Sequence, residues 1–326
     1  MGFNLLIFPD DGLDQTSVHR VYEWSNRLDE LIPGMTVNEP KSFAEAIEVI
    51  DEADAAYGNV SPGLFDRANN LKWIACPQAG PPAGYYHKAL VDSDVVVTNV
   101  RGIYNDYISA HIMSLLLAFA NSLPIYFKAQ QRTEWIASQN HIYLPDSTVI
   151  IVGVGGIGSE TGRICAELGM NVIGIDPRIE ELPVGVSKIY KPEELQTVLP
   201  FGDFIVVTVP ETPKTQGMFG SAEFEVMKST AFFINIGRGA TTRLNDLHDA
   251  LIGSRIAGAA LDVFEKEPLP SHHPLWKLPN MLITPHVAGS SGRNLDERRT
   301  ELFLDNCVRF NEGRPLRNVV DKSSWF

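Results

Sequence analysis

Residues 149–152 read Val-Ile-Ile-Val, residues 153–158 read Gly-Val-Gly-Gly-Ile-Gly, and residues 159–168 show helical spacing. That succession of strand, glycine turn and helix constrains the fold more than any other stretch of the chain. A lone Gly-x-Gly-x-x-Gly is a weak signal. Placed between a strand and a helix it predicts a βαβ unit whose turn brings backbone amides and a helix N-terminus to an anionic group. Asp176, at the end of the next apolar run, adds an acceptor suited to ribose hydroxyls. Gly153, Gly155, Gly156, Ile157, Gly158 and Asp176 together point to a dinucleotide. NAD is expected over NADP, because a carboxylate accepts from a 2′-hydroxyl and repels a 2′-phosphate. Arg178, two residues on, could blunt that preference.

Three further apolar runs follow, at 231–236, 257–261 and 281–285, and each leads into a chemically useful side chain: Arg238, Asp262 and His286. Glu267 follows the second run by a few residues. In an open α/β sheet, ligands bind beyond the carboxyl ends of the strands, so residues delivered by separate strand tips converge. An arginine, an acid and a histidine beside a dinucleotide suggest hydride chemistry on a carboxylate substrate.

With the runs at 148–152, 171–175 and 204–209, these make six expected strands, the number of a dinucleotide-binding sheet built from two halves. Upstream, the short apolar runs 5–8, 54–57, 71–76 and 95–100 alternate with helical patterns at 18–31, 43–50 and 62–68, which predicts a second, smaller parallel sheet. A single long helix is expected over roughly 104–132, apolar on more than one face, with a dimer interface one use of the surplus. A closing helix at 295–310 comes too late for the six-strand unit and is expected to fold back onto the N-terminal domain. The expected organisation is α/β, with two doubly wound parallel-sheet domains and a cleft between them. Residues 1–103 and 291–326 would form a flavodoxin-like substrate domain, and 104–290 the Rossmann domain.

At 326 residues the chain is long enough for two cores. Its net charge of −13 argues against a nucleic-acid surface, which needs clustered Lys and Arg. The three cysteines are scattered, make no metal spacing and fit a reducing compartment. No apolar stretch is long enough to span a bilayer. A cytoplasmic protein with no metal, membrane or nucleic-acid partner is expected.

The ordered motifs Val152-Gly-Val-Gly-Gly-Ile-Gly158, Pro210-Glu-Thr-Pro-Lys-Thr215, Asn235-Ile-Gly-Arg-Gly239, Gly258-Ala-Ala-Leu-Asp-Val-Phe264, Glu267-Pro-Leu-Pro270 and Thr284-Pro-His-Val-Ala-Gly289 resemble the D-isomer-specific 2-hydroxyacid dehydrogenase family across nearly the whole chain. The resemblance implies that Arg238, Glu267 and His286 form the catalytic set and that Asp262 holds the nicotinamide carboxamide. It also implies that Val209, Pro210, Thr215, Ile236, Gly237 and Gly289 line the cofactor, and that the protein is a homodimer. Tyr57, Gly58, Ala79 and Gly80 are the corresponding substrate-binding candidates in the N-terminal domain.

The chemistry suits these side chains. Histidine exchanges protons near neutrality, so His286 would donate one to the carbonyl oxygen of a 2-oxo acid. Glu267 on the other ring nitrogen would fix its tautomer. The fork of Arg238 suits a bidentate carboxylate. Asp262 could instead cap a turn. The chain departs from the family's pattern at Pro81-Pro82, where an Asp is usual, at Ala110, where a Glu is common next to the position of His111, and at Arg243, where an acid is common. These departures bear on substrate identity. Besides a reductase of small 2-oxo acids such as glyoxylate or hydroxypyruvate, two alternatives stand: a phosphoglycerate dehydrogenase and a non-catalytic NAD(H) sensor of the corepressor type.

Overall fold

The computed structural model describes residues 2–8, 16–81, 84–137, 141–178, 180–289 and 294–323, without the side chains of 16–23. Pro82 and the expected domain boundary at 290–291 lie outside the described residues. The chain divides into two compact units, Met1–Ile103 with Arg293–Phe326, and Tyr104–Gly292.

The first unit is built on five strands, β1 (Asn4–Ile7), β2 (Thr36–Asn38), β3 (Ala55–Tyr57), β4 (Trp73–Ala75) and β5 (Val96–Thr98), in the order β2-β1-β3-β4-β5. All neighbours are parallel, and this is the flavodoxin-like order with its reversal between β1 and β3. The C-terminal helix Leu295–Asn311 belongs to this unit. Its Phe303 packs against Trp73 and Trp24, with ring centroids 5.9 and 5.1 Å away. Burying one such ring is worth up to about 3 kcal/mol. Leu304 and Cys307 of the same helix are buried alongside it, so its attachment is a core contact.

The second unit carries seven parallel strands, β6 (Thr148–Val152), β7 (Asn171–Ile175), β8 (Lys188–Tyr190), β9 (Phe204–Val207), β10 (Phe232–Asn235), β11 (Gly258–Leu261) and β12 (Met281–Ile283). Their order, β12-β11-β10-β9-β6-β7-β8, reverses between β6 and β9. Helices cover both faces of the interior strands, and the sequence shows it: β9 and β11 are buried at every residue. Because every strand runs the same way, Gly153, Asp176, Val209, Arg238, Asp262 and His286 all follow carboxyl ends on one edge of this sheet.

The structure corrects three expectations. The first sheet has five strands instead of four and the second seven instead of six. The unexpected ones, β2 and β8, are three-residue edge strands with one exposed and two half-buried positions, so neither carries an apolar run. The single helix expected over 104–132 is two, Asn105–Ala120 and Leu123–Gln131, bent by 70°. Ser122 sits in the left-handed region at φ 57°, and Pro124 opens the second helix without a backbone N–H to continue the first. Among the described residues no single helix is long and apolar enough to cross a membrane. Cys76, Cys165 and Cys307 are all buried, and among the described residues none forms a disulfide.

Candidate active site

The glycine loop is shaped by close approach. Gly153 lies at φ +96°, and a Cβ there would come within 2.8 Å of Val209 Cγ1. At Gly158 a Cβ would stand 2.0 Å from the Gly153 carbonyl oxygen, a backbone atom that cannot swing aside. The space beside Gly155 is open, and Gly155 is the N-cap of the helix Gly156–Glu167. An accessible helix start with no side chain in the way fits a pyrophosphate. Thr208, to which the sequence assigned no role, donates from Oγ1 to the Gly153 carbonyl at 2.5 Å and fixes the loop from the next strand. Replacing Gly158 with Ala is expected to cost about 3 kcal/mol and lower Tm by roughly 6–12 °C. Thermal melting with an NADH fluorescence titration checks this, and an unshifted Tm would contradict the packing.

Asp176 follows β7 almost fully buried, and its carboxylate accepts from the amides of Val154 at 3.0 Å and Arg178 at 2.9 Å. It therefore shapes the turn as well as placing negative charge beside the glycine loop. Thr215 closes the loop after β9, accepting from the Thr212 amide at 2.8 Å and donating to the Pro210 carbonyl at 2.7 Å. Ile236 is buried, and Gly237 lies against the Val209 backbone, where a Cβ would come within 2.5 Å of the carbonyl oxygen. Gly289 packs against Tyr104.

Arg238 follows β10 on a turn built by Asn235. The buried Asn235 amide accepts from the Gly237 N–H at 2.9 Å and donates to Thr241 and Thr242 hydroxyls at 3.0 and 2.9 Å. Arg238 itself is half-buried and donates from Nη1 to the Gly237 carbonyl at 2.7 Å. Burial pulls its pKa down from the usual value, while Glu267 and Glu211 hold it up. A guanidinium stays charged under such conditions.

His286 and Glu267 meet. His286 Nδ1 lies 2.6 Å from Glu267 Oε2, and Glu267 Oε1 accepts from the Phe264 amide at 2.9 Å, so the carboxylate is anchored as it holds the ring. About half of the His286 side chain is exposed. With Nδ1 committed to Glu267, Nε2 is the nitrogen left to exchange a proton. The backbone of His286 is left-handed at φ 53°, an uncommon conformation for a side-chain-bearing residue. It persists because the loop is tied on both sides of it to Asp262.

That aspartate is 1% exposed. Its Oδ1 accepts from Thr284 Oγ1 at 2.5 Å and from the Val287 amide at 3.0 Å, and its Oδ2 accepts from the Ala288 amide at 3.0 Å. These bonds make Asp262 the organiser of the turn that carries His286.

In the first unit, Tyr57 is buried, its ring packed edge-on to Trp24 and Phe303 at 5.1 and 4.8 Å. It is a core residue there. Gly58, at φ +118°, follows it at the end of β3, and its carbonyl accepts from the Tyr85 hydroxyl at 3.0 Å. Ala79 and Gly80 are half-buried in the loop after β4. The buried Asn99, which the sequence did not single out, donates to the Ala79 carbonyl at 3.0 Å.

Comparisons with known proteins agree on what this architecture is. Residues 113–288 match the family described as "D-isomer specific 2-hydroxyacid dehydrogenase, NAD binding domain". A D-3-phosphoglycerate dehydrogenase of Archaeoglobus fulgidus is 32% identical over 269 residues, 81% of this chain, and this chain spans about half (50%) of that relative's length. A D-isomer specific 2-hydroxyacid dehydrogenase of Xanthobacter autotrophicus Py2, solved with NADPH and MES, superposes with a TM-score of 0.85 at 26% identity, covering 100% of both chains. The NADPH-dependent glyoxylate/hydroxypyruvate reductase of Sinorhizobium meliloti, solved with NADP and sulfate, gives 0.81 at 29% identity, covering 99% of this chain and 100% of that one. With the glycine loop, the strand-tip residues and the matched sequence in accord, the chain belongs to the D-isomer-specific 2-hydroxyacid dehydrogenase family.

Proposed function

We propose that the chain is an NAD(H)-dependent reductase of small 2-oxo acids to the corresponding 2-hydroxy acids. The observation that carries this reading is the His286–Glu267 pair, a half-exposed imidazole whose second nitrogen is held by an anchored carboxylate. Gly153, Gly155, Gly156, Ile157 and Gly158 would hold the pyrophosphate of the cofactor and Asp176 its ribose. Bound there, a reduced nicotinamide supplies a hydride. Arg238 binds the substrate carboxylate through its planar fork and polarises the adjacent carbonyl. His286 gives the proton on Nε2 to the carbonyl oxygen as C2 receives the hydride, and is left neutral with Nδ1–H facing Glu267. In the oxidative direction the same Nε2 takes the hydroxyl proton. Ala79 and Gly80 would offer backbone amides to the substrate, with Gly58 beside them. The family resemblance supports a homodimer and the composition a cytoplasmic setting.

NADH carrying deuterium at both C4 positions tests the reading. Reduction of glyoxylate or hydroxypyruvate should place the label on C2 of the product, and unlabelled product, or no product, would sink it.

Cofactor choice follows from Asp176. One carboxylate facing a 2′-phosphate should make kcat/KM with NADH at least ~10-fold higher than with NADPH. Steady-state kinetics with both cofactors measures the ratio, and equal efficiencies would contradict the prediction. The NADP(H) reading draws on the Xanthobacter and Sinorhizobium relatives, and on Arg178, whose Nε lies 3.8 Å from Asp176 Oδ1.

A further inference from the structure

His111 lies on the helix Asn105–Ala120, far in sequence from the catalytic candidates, yet its Nε2 is 3.1 Å from Thr284 Oγ1 and 3.7 Å from Asp262 Oδ1. Proton counting fixes the direction of the first bond. A threonine hydroxyl has one hydrogen, and that of Thr284 is directed to the Asp262 carboxylate at 2.5 Å. Toward His111, then, Thr284 Oγ1 is the acceptor, and His111 donates from Nε2–H. The chain of donors runs from His111 to Thr284 to Asp262, and Asp262 in turn gathers the amides of Val287 and Ala288. Thr284 precedes the left-handed His286 by two residues, and Val287 follows it directly. One buried carboxylate therefore sets the whole turn that aims His286, and His111 fixes the one hydroxyl on that carboxylate.

We propose that His111 is a positioning residue for the reaction, holding the loop Thr284–Ala288 through Thr284 and Asp262 so that His286 Nε2 faces the substrate carbonyl. The catalytic part rests on the reductase reading; the loop-holding part does not. Displacement of a proton donor by a fraction of an ångström is costly to turnover, and partners one layer behind a reacting group are typically worth 10–100-fold.

Three single variants of this 326-residue chain, and one double variant, test it: His111→Ala, His111→Gln, which restores an N–H donor at similar reach, and Thr284→Val, which keeps the shape and removes the hydroxyl. In His111→Ala, kcat for 2-oxo acid reduction should fall about 10–30-fold while KM for the acid stays within about threefold. His111→Gln should recover to within about threefold of the wild type. Adding His111→Ala to Thr284→Val should cost nothing further, because both cut one path. Hydrogen exchange of the peptide containing Val287 and Ala288, read by mass spectrometry, should quicken in His111→Ala and slow again in His111→Gln. An unchanged kcat in His111→Ala overturns the proposal. So does a loss that His111→Gln does not rescue, or one unaccompanied by faster exchange, since the ring's bulk and not its bond would then matter. A wild-type chain inert toward every 2-oxo acid defeats the reductase reading instead, and the exchange measurement still decides whether His111 holds the loop.

Discussion

Replacing His286 with Gln should lower kcat for 2-oxo acid reduction at least ~100-fold while leaving the Kd for NADH within about threefold. Glutamine fills similar space but cannot take up and release a proton near neutrality, so the variant removes proton exchange. The expectation rests on the division of labour in the ring: Nδ1 is held at 2.6 Å by a carboxylate that is itself anchored by the Phe264 amide, and only Nε2 is left for the substrate. Stopped-flow kinetics would separate the hydride step from product release. Turnover within about fivefold of the wild type would remove His286 from the reaction and, with it, the reason for the Glu267 contact.

The second large effect is expected at Arg238. Lysine there should reduce kcat/KM for the 2-oxo acid by about 100-fold or more, mostly through weaker substrate binding in both ground and transition states. A lysine offers one point charge where the guanidinium offers two parallel donors. The position also disfavours charge through burial, offset by Glu267 and Glu211. A guanidinium tolerates that balance, whereas an ammonium is more readily discharged when desolvated. Initial rates across a range of 2-oxo acid concentrations measure this. Wild-type kinetics in Arg238→Lys would mean that the carboxylate is bound elsewhere.

The parts of the molecule that sequence made legible are those where one physical cause dominates. Phe204–Val207 and Gly258–Leu261 read as strands because both faces of an interior parallel strand are buried and must be apolar. Gly153 and Gly158 read as a phosphate loop because the turn has no room for a Cβ. At the edges that cause is absent, so Thr36–Asn38 and Lys188–Tyr190 carried no readable pattern. The break at Ser122 was legible in principle from Pro124, but the apolar run on either side of it resembled one helix.

The site divides in the same way. Arg238 and His286 could be placed at strand tips from local pattern, with Glu267 a few residues behind the second run, and family resemblance supplied its place in the catalytic set. Their supports could not be read. Asn235 looks like any strand-end asparagine until its amide is seen to build the Arg238 turn. Asp262 carried two possible roles, and only its three hydrogen bonds show that it organises the His286 loop. His111 is separated from Thr284 by 173 residues, and nothing in the helix around it announces the contact. Long-range polar contacts of this kind leave no periodicity behind, which is why positioning residues are the last to be found.

NADH oxidation by the purified chain over a panel of 2-oxo acids, run beside His286→Gln, tests directly whether the chain is a 2-oxo acid reductase. NADH should be consumed mole for mole with formation of a 2-hydroxy acid, at least with glyoxylate or hydroxypyruvate, and this consumption should nearly vanish in the variant. NADH that binds tightly yet is consumed with no member of the panel would contradict the reductase reading and point to a dinucleotide-sensing protein.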